Sequence, residues 1–145
     1  MSGYVKEKTY VTSPLLPELE DVCGEIRDIF ASKWLTNMGE KHKELENKLK
    51  NELKANNLSL FNNGTIALLT AIKALNLPQG SEVITTPFTF AATPHSIVWN
   101  GLKPIFCDIE PNTMTLDAQK IEELVTPNTS AILGVHVYGF PCNVE

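Results

Sequence analysis

From Leu58 onward, short apolar runs alternate with segments of helical period, and this alternation constrains the fold more than any other feature of the chain. Leu58-Ser59-Leu60-Phe61 reads as a short buried strand, and Ala67, Leu68, Ala71, Ile72 and Leu75 then recur as one helix face. Further strands are expected at 81–85, 103–109 and 130–137, with helices near 92–99 and from the cap Asp117 to Val125. Single helices between strands predict a parallel α/β sheet with right-handed crossovers, because each crossover must return its helix to a sheet face. Ligands of such sheets gather at the carboxyl ends of strands. Three groups fall there: Asn63-Gly64-Thr65, Phe88-Thr89-Phe90 and Asp108-Ile109-Glu110.

The first of these groups is a strand-to-helix turn. Asn63 and Thr65 are good N-cap residues, and Gly64 lacks the Cβ that would hold an anion away from the backbone. The first amides of a helix have no intrahelical partner and lie at the positive end of the dipole, so the turn can hold a phosphate, with the Thr65 hydroxyl as a further donor. On these residues alone a plain helix start is the first reading and a phosphate site the second.

Ahead of the alternating part, Ser13-Pro14 can start a helix with Leu16, Leu19, Val22, Ile26, Ile29 and Phe30 as its apolar stripe. The link 33–39 carries Trp34 and Thr36, and Trp34 reads first as an anchor onto the core. A second helix is expected over 40–55, with a narrow seam of Leu45, Leu49 and Leu53. Its lysines alternate with glutamates, as on a solvated face.

A chain of 145 residues, 43% hydrophobic and 20% charged, is about one globular domain. A net charge of -5 without a basic stripe argues against nucleic-acid binding. Cys23, Cys107 and Cys142 have no metal-ligand spacing against His42, His95 or His136 and read as reduced thiols in a cytoplasmic protein. The first ten residues contain Lys6, Glu7 and Lys8 without the apolar core of a signal peptide, and no run is long enough to span a membrane. The glycosylation patterns at Asn57, Asn63 and Asn128 are therefore read as chance matches.

Taken in order, Trp34-Leu35-Thr36-Asn37-Met38-Gly39, Asn63-Gly64-Thr65-Ile66-Ala67-Leu68, Gly80-Ser81-Glu82-Val83-Ile84 and Pro87-Phe88-Thr89-Phe90-Ala91-Ala92-Thr93 resemble the DegT/DnrJ/EryC1/StrS sugar aminotransferases. The resemblance continues through residues 101–109 and 126–132 to His136-Val137-Tyr138-Gly139. It implies a fold-type I enzyme dependent on pyridoxal 5'-phosphate (PLP), passing an amino group from glutamate to a nucleotide-linked keto sugar for polysaccharide or secondary-metabolite sugar biosynthesis. It assigns the cofactor phosphate to Gly64 and Thr65, with Asn63 beside them, which brings the phosphate reading of the turn to the front. Phe90 is implied on the face of the pyridine ring, with Phe88 as packing or pocket wall. Trp34 and Thr36 become substrate-side candidates, since the family is usually dimeric with sites near the subunit interface. Residues 85–101 look most like members acting on a dTDP-4-keto-6-deoxyhexose.

The resemblance also divides the chain into an N-terminal helical segment, 1–57, and an incomplete first part of the PLP-binding large domain, 58–145. The Schiff-base lysine, the aspartate that pairs with the pyridine nitrogen and the small C-terminal domain are expected beyond Glu145. Lys33, Lys73 and Lys103 do not occupy the lysine's position, so no catalytic residue is assigned and the chain alone is expected to be inactive. His95 and His136 are read as structural, and Asp108 and Glu110 as loop carboxylates. The competing reading is a non-catalytic α/β binding or interaction module whose unfinished sheet exposes an apolar edge. A dinucleotide-binding domain is disfavoured, since Gly64 stands without a G-x-G-x-x-G pattern.

Overall fold

The computed structural model describes residues 10 and 12–144. The signal-peptide expectation falls outside these residues, Tyr10 apart. The chain divides into two compact units, Met1–Leu60 and Phe61–Glu145.

In the first unit, helix α1 spans Leu19–Ser32 and helix α2 spans Glu40–Glu52. The expected start of α1 at Ser13-Pro14 moves to Leu19. Pro17 keeps Leu16 out of the helical region, and Glu18 is still extended, with φ -63° and ψ 139°. Lys33 ends the helix in a left-handed conformation and donates its amide to the Phe30 carbonyl. Neither helix contains a buried residue; Leu19 and Phe30 on the stripe are each 68% exposed. Trp34 therefore has no buried helix residue in this unit to anchor on, contrary to expectation. Its indole Nε1 donates to the Asn37 carbonyl at 2.8 Å, and the Lys43 ammonium lies 5.6 Å from the ring centroid. On α2, Glu44 pairs with Lys48 and Glu46 with Lys50 at i,i+4, the favourable order along a helix, while Lys41 pairs with Glu25 of α1.

The second unit runs α3 (Gly64–Ala74), β1 (Glu82–Thr85), α4 (Ala92–Trp99), β2 (Lys103–Phe106), α5 (Ala118–Leu124) and β3 (Thr129–Leu133), followed by one 3-10 turn, Val137–Gly139. The sheet order is β2-β1-β3 and both pairings are parallel. β1 is central, which explains its continuous Val-Ile-Thr run: a parallel strand covered on both faces needs apolar or satisfied side chains on each. Successive residues point to opposite faces. Val83 packs with Ile72 of α3 and Ile97 of α4, whereas Ile84 packs with Cys107 and Leu116, flanked by Ile121 and Leu124 of α5. The result is a sheet with helices on both sides.

Three strand expectations are corrected. Leu58-Ser59-Leu60-Phe61 is not a strand: it pairs with none of the three described strands, and without a ladder partner strand composition does not make a strand. The later strands are also shorter than expected. β2 ends at Phe106, after which the Asp108 carboxylate accepts the Ile109 amide at 2.8 Å and turns the chain. β3 ends at Leu133, whose carbonyl accepts the Thr85 hydroxyl at 2.8 Å.

Candidate functional site

The start of α3 carries the first group of candidate residues. Asn63 is extended, with φ -161° and ψ 162°, and its side-chain oxygen accepts the Ile66 amide at 2.9 Å. Its carbonyl takes the Ala67 amide at 3.3 Å. The amides of Gly64 and Thr65 have no acceptor among the described residues, so two donors remain at the positive end of an 11-residue helix. A Cβ added at Gly64 would meet no atom within 4 Å, so the space beside this glycine is open to a ligand rather than filled by the protein. These features fit an anionic group.

The second group lies past the carboxyl end of β1. Thr86, 1% exposed, accepts the Phe88 amide at 3.1 Å, and the Thr89 and Thr93 hydroxyls share a hydrogen bond of 2.8 Å at the start of α4. This short loop presents Phe90, which is 80% exposed, while Phe88 packs edge-on against Tyr138 with 6.5 Å between ring centroids. Phe88, Phe90 and Thr93 line a concavity of about 580 Å³ together with Val135, His136 and Tyr138. An exposed aromatic ring beside such a space can stack on a planar ligand.

The structure does not bring all the candidate residues into one concavity. Asn63, Gly64 and Thr65 are not among the walls around Phe90. Trp34 and Thr36 line a different concavity in the first unit, of about 210 Å³, with Gly39 and Lys41. Among the described residues no lysine lines the aromatic concavity: Lys33 caps α1, Lys73 lies in the last turn of α3 and Lys103 begins β2.

His95 is exposed and stacks on Trp99, with 5.6 Å between ring centroids. His136 instead lines the aromatic concavity, and its Nδ1 accepts the Cys142 amide at 2.9 Å. Tyr138 is legible in the sequence only as part of the stretch His136-Val137-Tyr138-Gly139, and the Cys142 contact has no sequence signal. In the structure Tyr138 and Gly139 both have positive φ, 51° and 86°.

The carboxylates after β2 serve the loop. The Asp108 carboxyl is held below its ordinary range first by the Ile109 amide and then by Lys120, and that of Glu110 first by the Asn112 amide. Burial pushes the Cys107 thiol up, with the Asp117 carboxylate adding to it. No cysteine of the described residues is in a disulfide. No helix of the described residues is long and apolar enough to cross a membrane.

The parallel sheet with helices on both faces is that of the large domain of fold-type I PLP-dependent transferases. Residues 18–145 match the DegT/DnrJ/EryC1/StrS aminotransferase family. The chain belongs to that family. It is 53% identical over 135 residues to the dTDP-4-amino-4,6-dideoxy-D-glucose transaminase of Escherichia coli, covering 93% of this chain and 36% of that protein. The Shigella dysenteriae enzyme of the same name is 49% identical over 97% of this chain and 38% of its own. The structure of NtdA from Bacillus subtilis with bound cofactor PMP superposes with a TM-score of 0.78 at 31% identity, covering 97% of this chain and 34% of that one. The chain thus spans little more than a third of the length of each of these relatives.

Proposed function

We propose that this chain supplies the N-terminal part, with residues 58–145 in the large domain, of a PLP-dependent aminotransferase that moves an amino group from glutamate to a nucleotide-linked keto sugar. The names of the Escherichia coli and Shigella dysenteriae relatives support a dTDP-4-keto-6-deoxyhexose as that sugar. The observation that carries the proposal is the start of α3, where two free amides stand beside an open glycine face. There Gly64 and Thr65 would hold the cofactor phosphate while Asn63 keeps the first turn in place. Phe90 would lie against the ring and exclude water from one face. PLP, when bound, supplies the electron sink for amino transfer. Trp34 and Thr36 are assigned to the substrate side of a cytoplasmic homodimer.

That no lysine of the described residues lines the aromatic concavity supports the further point that this chain alone does not perform the transfer. Titration of the chain with PLP, followed by the amide resonances of Gly64 and Thr65, tests the cofactor assignment: both should move saturably. Borohydride treatment of the same sample should trap no single lysine. Stationary Gly64 and Thr65 resonances would overturn the assignment, and selective labelling of one lysine would overturn the claim of inactivity.

One observation favours the interaction-module reading. Phe106 on outer strand β2 and Ile132 on outer strand β3 are 50% and 53% exposed. If that reading holds, light scattering will show mass rising with concentration, whereas a monomer that melts cooperatively argues against it.

A further inference from the structure

The segment from Gly134 to Cys142 leaves the sheet and is fastened back on itself. Cys142 does this twice, donating its amide to His136 Nδ1 at 2.9 Å and its thiol to the Val135 carbonyl at 3.0 Å. The fit is close: a Cβ added at Gly134 would lie 3.4 Å from the Cys142 Sγ. Between the two ends, the Gly139 amide returns to the His136 carbonyl at 3.0 Å, with Tyr138 in the left-handed region.

A neutral imidazole has one donor and one acceptor nitrogen. A backbone amide can only donate, so the nitrogen it meets must be the acceptor, and the ring proton is on the other. Nε2 has no hydrogen-bond partner among the described residues, and His136 is one of the residues lining the concavity with Phe90 and Tyr138. From this geometry we infer that His136 is a ligand-binding residue: a histidine locked in the Nε2–H form, offering one donor to an anionic oxygen of a molecule seated against Phe90. The acceptor is either the ring hydroxyl oxygen of the cofactor or a carboxylate of the amino donor. This rests on the cofactor reading for the identity of the ligand, but the tautomer itself does not.

The test is a long-range proton–nitrogen NMR spectrum of the histidine rings in the 145-residue chain, first alone and then with PLP, with its analogue lacking the ring hydroxyl, and with glutamate. Without ligand, His136 should show one protonated nitrogen, Nε2. A protonated Nδ1 at mildly alkaline pH overturns the inference. If the acceptor is the ring hydroxyl, PLP should move the Nε2–H resonance while the analogue does not; if it is a carboxylate, glutamate should move it.

Movement of the Gly64 and Thr65 amides by PLP with no response of His136 to any of the three molecules overturns the donor role while leaving the cofactor reading intact. No response at either place to PLP overturns the cofactor reading and the ring hydroxyl as acceptor. His136→Phe should weaken binding of the responding molecule by about 10-fold to 100-fold, the range for a hydrogen bond to a charged group. His136→Gln, which keeps a donor on a side chain of similar reach, should retain most of the affinity; equal losses in both variants, with unchanged amide dispersion, overturn the role.

Discussion

The side-chain oxygen of Asn63 accepts the Ile66 amide at 2.9 Å and so fixes which first-turn donors of α3 stay free. Replacing it separates the cap from the ligand. Asn63→Ala should cost about 1 kcal/mol in urea denaturation, whereas Asn63→Asp should restore most of that stability as an equivalent cap. Equal stability of all three proteins would show that the cap contributes nothing to this helix.

Thr65 is expected to act on the phosphate through its hydroxyl. Thr65→Val in an enzyme containing the remaining part should weaken PLP binding by about 1.5 to 3 kcal/mol, the range for a hydrogen bond to a charged group. Thr65→Ser should bind nearly as well as the parent protein. A fluorescence titration in which Val costs no affinity would remove Thr65 from the site.

Asp108 is expected to add an acid-sensitive contribution to stability. Its carboxyl is held below its ordinary range by the Ile109 amide and by Lys120, so the folded state favours the ionised form. The associated stability is fully present above the ordinary aspartate value, about 3.9, and is lost as pH falls through the lower folded value. Asp108→Asn should therefore narrow the difference between urea midpoints at neutral pH and in that acid window. An unchanged difference would show that the carboxylate is not linked to folding.

Gly101 ends α4 with φ +74°, and a Cβ there would fall 1.5 Å from Gln79 Nε2, which donates to the Gly101 carbonyl at 2.7 Å. Gly101→Ala should destabilise by at least about 1 kcal/mol, since it combines backbone strain with a displaced hydrogen-bonding side chain. In Gln79→Ala the same substitution should cost less, because only the backbone strain is left. Additive losses in the double mutant would refute the steric coupling.

Burial should separate the central strand from its edge. Ile84 is 0% exposed and lies in the core on one sheet face, while Ile132 of β3 is 53% exposed. Ile84→Ala should cost about 2 to 5 kcal/mol and Ile132→Ala much less, as measured by thermal melting. A comparable loss at Ile132 would mean that another chain covers the β3 edge in solution.

Local chemistry was legible in the residues themselves. Asn63 and Asp117 cap helices, Asn100-Gly101 stops one, and the alternating runs mark a parallel sheet, because each signal acts over a few neighbouring residues. The ordered motifs likewise pointed to the family. What only the tertiary structure decided depends on partners distant in sequence. Leu58-Ser59-Leu60-Phe61 has strand composition but pairs with no described strand, and β3 stops at Leu133 rather than reaching Val137. Phe88 and His136 share one concavity because β1 and β3 are neighbours, a pairing that local period cannot encode. Cys142 turns back to fix the His136 ring, and no spacing rule signals that contact. Propensity and capping are properties of a few adjacent residues, whereas strand pairing and ring orientation depend on which distant backbone groups find each other.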